Sequence, residues 1–258
     1  MRAAWPVRLV LWALVATFVL WPDIFAPLLR PLAPPGMPVI YDRASLAGLT
    51  AWHLGLVAAA IVPSALVAIG LAILVTRPAG ADFLPLARAL GGFGQTFPPV
   101  AVLALAVPVV GFGAWPTLIA LFLYGLLPVL ENALAGLSGV PRAVMLAADG
   151  MGMTPRQRLW RVELPLAAPL MVEGVRISTV IAISTAAIGS TVAAPGLGEV
   201  IIAGLNANNL AFVVQGGLLT AALALIVHDA LGLAAHALAA RRRVTVAAAR
   251  GTLAAPAR

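Results

Sequence analysis

Long apolar runs alternate with short polar stretches rich in proline, glycine or arginine along the chain. A helix needs about 20 mostly apolar residues to cross a hydrocarbon core about 30 Å thick. Six runs meet that length. The first covers roughly residues 7–25, after Arg2 and Arg8, with Trp5 and Trp21 at interfacial positions. Trp21, Pro22 and Asp23 follow it in place of a small-residue cleavage site, so it predicts an uncleaved anchor. The second covers 53–75 and stops at Arg77. The third lies within the uncharged 89–111, interrupted by Gly91, Gly92, Gly94 and the Pro98-Pro99 pair. A helix broken at membrane depth is tolerated where it is buried in protein or lines a cavity. The fourth, 115–131, opens on Trp115-Pro116, with proline expected at a first helical position. The fifth, 169–193, is broken by Pro195-Gly196-Leu197-Gly198, and a turn is expected to extend to Asn209. The sixth covers 210–232, extends at most to Ala240, and ends at Arg241-Arg242-Arg243.

Between the first two runs, Pro22, Pro27, Pro31, Pro34, Pro35 and Pro38 preclude a regular helix, so an extended external loop is expected to about residue 50. The runs are continuously apolar rather than alternating, which excludes an outer-membrane barrel. The expected fold is an all-α membrane protein of about six transmembrane helices, one domain over 1–258.

Charge orients these runs. Six spans place both termini on one side. That side carries Arg2, Arg8, Arg77, Arg88, Arg142, Arg156, Arg158, Arg161, Arg241, Arg242, Arg243, Arg250 and Arg258. The other carries only Arg30 and Arg43, and Arg176 lies within the fifth run. Arginine accumulates on cytoplasmic loops, so both termini are expected in the cytoplasm. The same rule accounts for the net charge of +7 without nucleic acid as a partner.

Composition narrows the chemistry. Apolar residues make up 62% and charged residues 10%, with a mean hydropathy of +1.04. Soluble domains are about half apolar and a quarter charged, so a soluble enzyme and a disordered chain are both excluded. There is no cysteine, hence no thiolate nucleophile and no cysteine-based metal site. All 16 basic residues are arginine, which removes the Walker A lysine, Schiff-base chemistry and Ser–Lys dyads. The chain also lacks HExxH, GxSxG and an aspartate pair within its runs. No catalytic residue, metal ligand set or cofactor is expected, and any ATP hydrolysis belongs to another chain.

The most informative segment is the loop at about 132–168. Leu137–Ala148 reads as a short helix that Gly150 and Gly152 terminate. Thr154 is placed to cap a second, Pro155–Val162, with Pro155 in its first position. Ala147, Ala148 and Gly152 are small enough for close packing, and Arg156, Arg158 and Arg161 fringe the second helix. A helix–turn–helix on the membrane surface results.

This loop resembles the EAA motif of binding-protein-dependent ABC importer permeases, in which E-A-A, three residues, G, nine residues and I-x-L-P follow in order. Ala147 and Ala148 match the alanines, Gly152 the glycine, Val162 the isoleucine, and Leu164-Pro165 the L-P. Leu146 stands at the glutamate position, a departure that removes one polar contact to the ATPase. Gly94–Ala101, Tyr124–Leu130, Gly150–Pro155 with Gln157-Arg158-Leu159, and Gly196–Glu199 are similar to the osmoprotectant branch, which imports glycine betaine, carnitine or choline. The similarity covers roughly 50–235.

The resemblance implies the type I ABC importer (MetI-like) architecture in a bacterial cytoplasmic membrane. Its implied partners are ABC ATPase subunits, a second, different permease, an external substrate-binding protein, a small-molecule solute and membrane lipid. Residues 147–165 would form a coupling helix docking on the ATPase, with Ala147, Ala148, Gly152, Thr154, Pro155, Arg156, Leu164 and Pro165 as coupling residues. ATP-driven closure would rock the spans between inward- and outward-facing states. An amino acid or sulfonate is the alternative solute. From another class, an ion-driven transporter would show inverted repeats and buried carboxylates, and only Glu173 and Asp229 qualify as the latter.

Polar residues near the runs are the pathway candidates. Gln95 and Thr96 adjoin the proline pair, where exposed backbone needs a cavity or a protein partner. Ser184 and Thr185 lie in the fifth run, where they either bond neighbouring helices or line a path. Glu173 and Arg176, three residues apart, are expected to pair within one helix. His228-Asp229 reads as structural, Glu131 as the solvated end of the fourth run, and His53 as an external interfacial residue. Aromatics, 6% of the chain, do not cluster in sequence, so a quaternary ammonium cage is expected in the binding protein rather than here.

Overall fold

A computed structural model describes residues 5–253, with side chains to residue 235. Arg2 and Arg258 lie outside the described residues, as do the side chains of Arg241, Arg242, Arg243 and Arg250. No strand occurs among the described residues. Four helical segments are long and apolar enough to cross a membrane: Leu46–Val75, Ala114–Ser138, Pro155–Val192 and Leu210–Ala235. Two bent pairs complete the six expected runs. Trp5–Leu20 and Pro22–Leu32 meet at 106°, and Pro78–Thr96 and Pro99–Val110 at 92°.

Helix α1, Trp5–Leu20, leads into short helical turns, including α2, Ala26–Leu29, instead of an extended loop. Prolines open these turns at their first or second positions, where a missing N–H costs nothing. Helix α3, Leu46–Val75, starts earlier than the apolar run because Ser45 caps it, its hydroxyl accepting from the Gly48 N–H at 3.1 Å. Helices α4, Leu84–Thr96, and α5, Pro99–Val110, form the second bent pair. The break falls at the extended Phe97 and Pro98, whereas the glycines sit inside α4.

Helix α6, Ala114–Ser138, is the centre of the bundle, with α3, α4, α5 and α9, Leu164–Ala186, packed on it. Leu126, Val129, Leu130, Ala133 and Leu134 of α6 are buried in its core. Small residues set the α6–α9 distance. A Cβ on Gly174 would lie 2.9 Å from the Pro128 carbonyl, and one on Gly136 2.9 Å from the Ala167 carbonyl. Dispersion at such close approach, rather than water exclusion, holds helices together in lipid. Gly94 brings α4 onto α6 in the same way, with the Leu123 carbonyl 2.6 Å from a would-be Cβ.

Helix α9 ends in a tighter turn, Ala187–Val192. The segment to Asn209, expected as a turn, instead holds helix α10, Leu197–Asn206. Gly196 at φ +151° allows the chain to reverse, and Gly198 lets α10 lie against the Ala187 carbonyl. Helix α11, Leu210–Leu253, continues through Arg241-Arg242-Arg243, because arginine is a good helix former even where the apolar run stops.

Candidate functional site

The arginine-rich loop folds as two short helices joined by a tight turn. Helix α7 is Arg142–Gly150 and helix α8 is Pro155–Arg158. The first begins later than expected, because α6 extends to Ser138 and Gly139-Val140-Pro141 separates the two. Gly152, at φ +73°, terminates α7. Its N–H donates to the Asp149 carbonyl at 2.9 Å and the Met153 N–H to the Ala148 carbonyl at 3.1 Å. These are the paired bonds of a left-handed helix stop, which favours glycine. Nothing lies within 4 Å of a Cβ at Gly152, so backbone conformation selects the glycine rather than close packing.

Thr154 caps α8 as the sequence predicts. Its hydroxyl accepts from the Gln157 N–H, and the Gln157 side chain accepts from the Thr154 N–H at 2.9 Å, a complete capping box. Pro155 occupies the first helical position. Helix α8 then passes through one wide turn, Leu159–Glu163, directly into α9. There the Leu164 N–H reaches back five residues to Leu159. The wide turn precedes Pro165, which has no N–H to donate and would crowd a carbonyl four residues back.

Of the coupling candidates, Ala148 is buried. Ala147, Gly152, Thr154, Pro155 and Arg156 are exposed, and Leu164 and Pro165 are half-buried where the loop enters α9. Leu146, Met151 and Trp160 are exposed apolar side chains on the same loop as the exposed Arg156 and Arg161.

An ion-pair network beneath this surface was not singled out by sequence. The Glu163 side chain is 3% exposed and accepts from two guanidinium groups. Arg77, just beyond α3, grips it with two nitrogens, one at 3.1 Å. Arg158 of α8 donates at 3.2 Å through Nε and reaches Asp149 of α7 at 2.6 Å through Nη1. Glu163, Arg77 and Arg158 wall a groove of about 350 Å³ with Thr76, Ser138 and Met145. The Glu131–Arg88 pair nearby, 3.0 Å, is exposed.

The pathway candidates are held within their own helices or against α6. The Gln95 amide donates to the Tyr124 carbonyl at 3.2 Å. Tyr124 in turn donates its hydroxyl to the Phe97 carbonyl, which the α4–α5 break frees. Thr96 bonds back to Phe93 at 2.7 Å and Ser184 to Val180 at 3.3 Å. Gln95, Thr96 and Ser184 are exposed, and Thr185 is half-buried. No hydrogen bond joins the two pairs among the described residues. Aromatics do meet at the bend, where the Phe93 and Phe97 rings lie edge-on at 5.2 Å beside an apolar cavity of about 320 Å³.

Other polar groups are more deeply committed than expected. His53 is wholly buried rather than interfacial. Its Nε2 lies 2.9 Å from the Ile183 carbonyl and its Nδ1 accepts from the Leu197 N–H at 3.3 Å. Buried Gln215 and Asn209 clamp the proline-rich segment through the Val39 and Pro38 carbonyls at 2.6 and 2.9 Å. Tyr41 donates to Glu199 at 2.6 Å, and burial followed by that carboxylate pushes its hydroxyl above the usual tyrosine range. Glu173 and Arg176 pair at 3.0 Å as expected, and Arg176 also donates to the His228 carbonyl. Asp229 pairs with Arg8 at 2.8 Å.

Residues 85–245 match the family described as binding-protein-dependent transport system inner membrane component. The chain is 42% identical over 173 residues to the osmoprotectant import permease protein OsmY of Salmonella typhimurium, covering 67% of this chain and 73% of that one. It is 35% identical over 175 residues to the choline transport system permease protein OpuBB of Bacillus subtilis, covering 66% and 81%. Among solved structures, a chain of the inward-facing MetNI methionine ABC transporter superposes with a TM-score of 0.67 at 21% identity, covering 74% of this chain and 95% of that one. That likeness is one of fold.

Proposed function

The chain belongs to the binding-protein-dependent transport system inner membrane components, and on that premise we propose that it is the permease through which an ABC importer brings an osmoprotectant such as glycine betaine into the cell. The observation that carries the solute class is the 35–42% identity to permeases named for osmoprotectants and choline. A separate ATPase subunit supplies the energy, docking on the 147–165 loop. The loop suits this role: with its two rigidly stopped and capped helices it presents Leu146 and Met151 along with Arg156 and Arg161. Such a surface fits an apolar groove with an acidic rim. The chain itself carries out no catalysis.

The arginine asymmetry supports cytoplasmic termini in a bacterial inner membrane, which puts the α7–α8 loop on the ATPase side. The remaining partners are a second permease, of different sequence, and an external binding protein that delivers the solute. We assign Gln95, Thr96, Ser184 and Thr185 to the solute path. The test is uptake of labelled glycine betaine into proteoliposomes holding the complete importer. Uptake is expected to require ATP and the binding protein and to persist when ion gradients are collapsed. Uptake of a sulfonate or an amino acid with no uptake of glycine betaine, choline or carnitine would reassign the solute.

A further inference from the structure

We infer that Glu163 is a positioning residue, a charged joint that makes the α7–α8 loop and the end of α3 move as one body. The inference rests on the docking role proposed above for that loop. Continuity of the helix from Pro155 to Val192 already ties α8 to α9. Arg77, just beyond α3, lies 86 residues before Glu163 in the chain.

Glu163 closes that gap. Its carboxylate is buried at the wide turn through which α8 runs into α9. One guanidinium reaches it from the end of α3 and another from α8, and the second also holds Asp149 of α7. Three elements are therefore fastened by one run of ion pairs, Arg77–Glu163–Arg158–Asp149, with Glu163 at its buried centre. A tilt of the loop that left α3 behind would take Arg77 away from a carboxylate that is only 3% exposed and leave it with Arg158 as its one partner. Following together is the lower-energy motion. The exposed Arg88–Glu131 pair, screened by solvent, offers no comparable constraint.

The experiment uses the complete importer in proteoliposomes and reads ATP hydrolysed per glycine betaine imported. Glu163→Gln keeps the shape and removes the charge, and is expected to raise that ratio about tenfold, within the usual range of coupling between sites. The ATPase is expected to co-purify undiminished. Arg77→Gln should raise the ratio similarly, and the double variant no further, because both remove one joint. Arg77→Lys, which retains the charge, should restore part of the coupling. Overturning results are a wild-type ratio in Glu163→Gln, additive losses in the double variant, or a loss matched by failure of the ATPase to co-purify. If the wild-type importer moves no glycine betaine with ATP, the proposed function fails. If it does and the variants stay coupled, only the joint fails.

Discussion

At the residue scale, the loop rests on a few backbone decisions. Gly152 adopts a left-handed conformation in open space, so Gly152→Ala is strained but not clashing, with an expected penalty of about 1 kcal/mol. Gly152→Asn should be milder, because asparagine tolerates that conformation. Proteolysis of the loop in the purified protein would rank the three, and equal sensitivity would mean the stop is not needed. Thr154→Ala removes the cap and should loosen α8 by about 1 kcal/mol. His53→Phe is expected to be worse, because it leaves the Ile183 carbonyl and the Leu197 N–H buried without partners at about 1–3 kcal/mol each. A lower thermal midpoint in detergent would register it.

At the element scale, close approach decides which glycines matter. Gly174→Ala would push a methyl against the Pro128 carbonyl and the Val129 Cα across the α6–α9 contact, neither of which can swing aside. Gly92→Ala in α4 faces open space and should be neutral or stabilising by up to about 1 kcal/mol through helix propensity. Yield of monodisperse protein after extraction separates the two, and equal yields would contradict the packing. The sequence shows both glycines in apolar runs and does not distinguish them, since only the crossing of α6 and α9 puts backbone beside Gly174. The capped start of α8 was legible, because Thr-Pro-x-Gln carries its own local hydrogen bonds. The proline-rich turns and α10 were not. Their prolines and glycines forbid one long helix but permit short ones, and Pro38 and Tyr41 after the proline-rich turns are held by Asn209, Gln215 and Glu199 from far along the chain.

At the scale of the whole molecule, the absence of cysteine makes topology directly measurable. If the termini are cytoplasmic, as proposed, Met151→Cys should react with an impermeant thiol reagent only after the membrane is opened. Met37→Cys, on the proline-rich side, should react in intact spheroplasts. Both positions are exposed. The reverse labelling pattern would invert the orientation and remove the loop from the ATPase side.

The apolar runs and the sided arginines were enough, without coordinates, to point to a helical membrane protein. The spaced Ala147, Ala148, Gly152, Leu164 and Pro165 were enough to point to its family. These features act locally or as sums over a segment, so they survive in a linear reading. Tertiary structure alone decided that His53 spans to Ile183 and Leu197, and that Gln215 clamps Val39. It also decided that Glu163 joins Arg77 to Arg158 and thence to Asp149. The bonds of His53 to Ile183, Gln215 to Val39 and Arg77 to Glu163 each bring residues dozens of positions apart within about 3 Å, and a buried polar group has no fixed spacing to its partner.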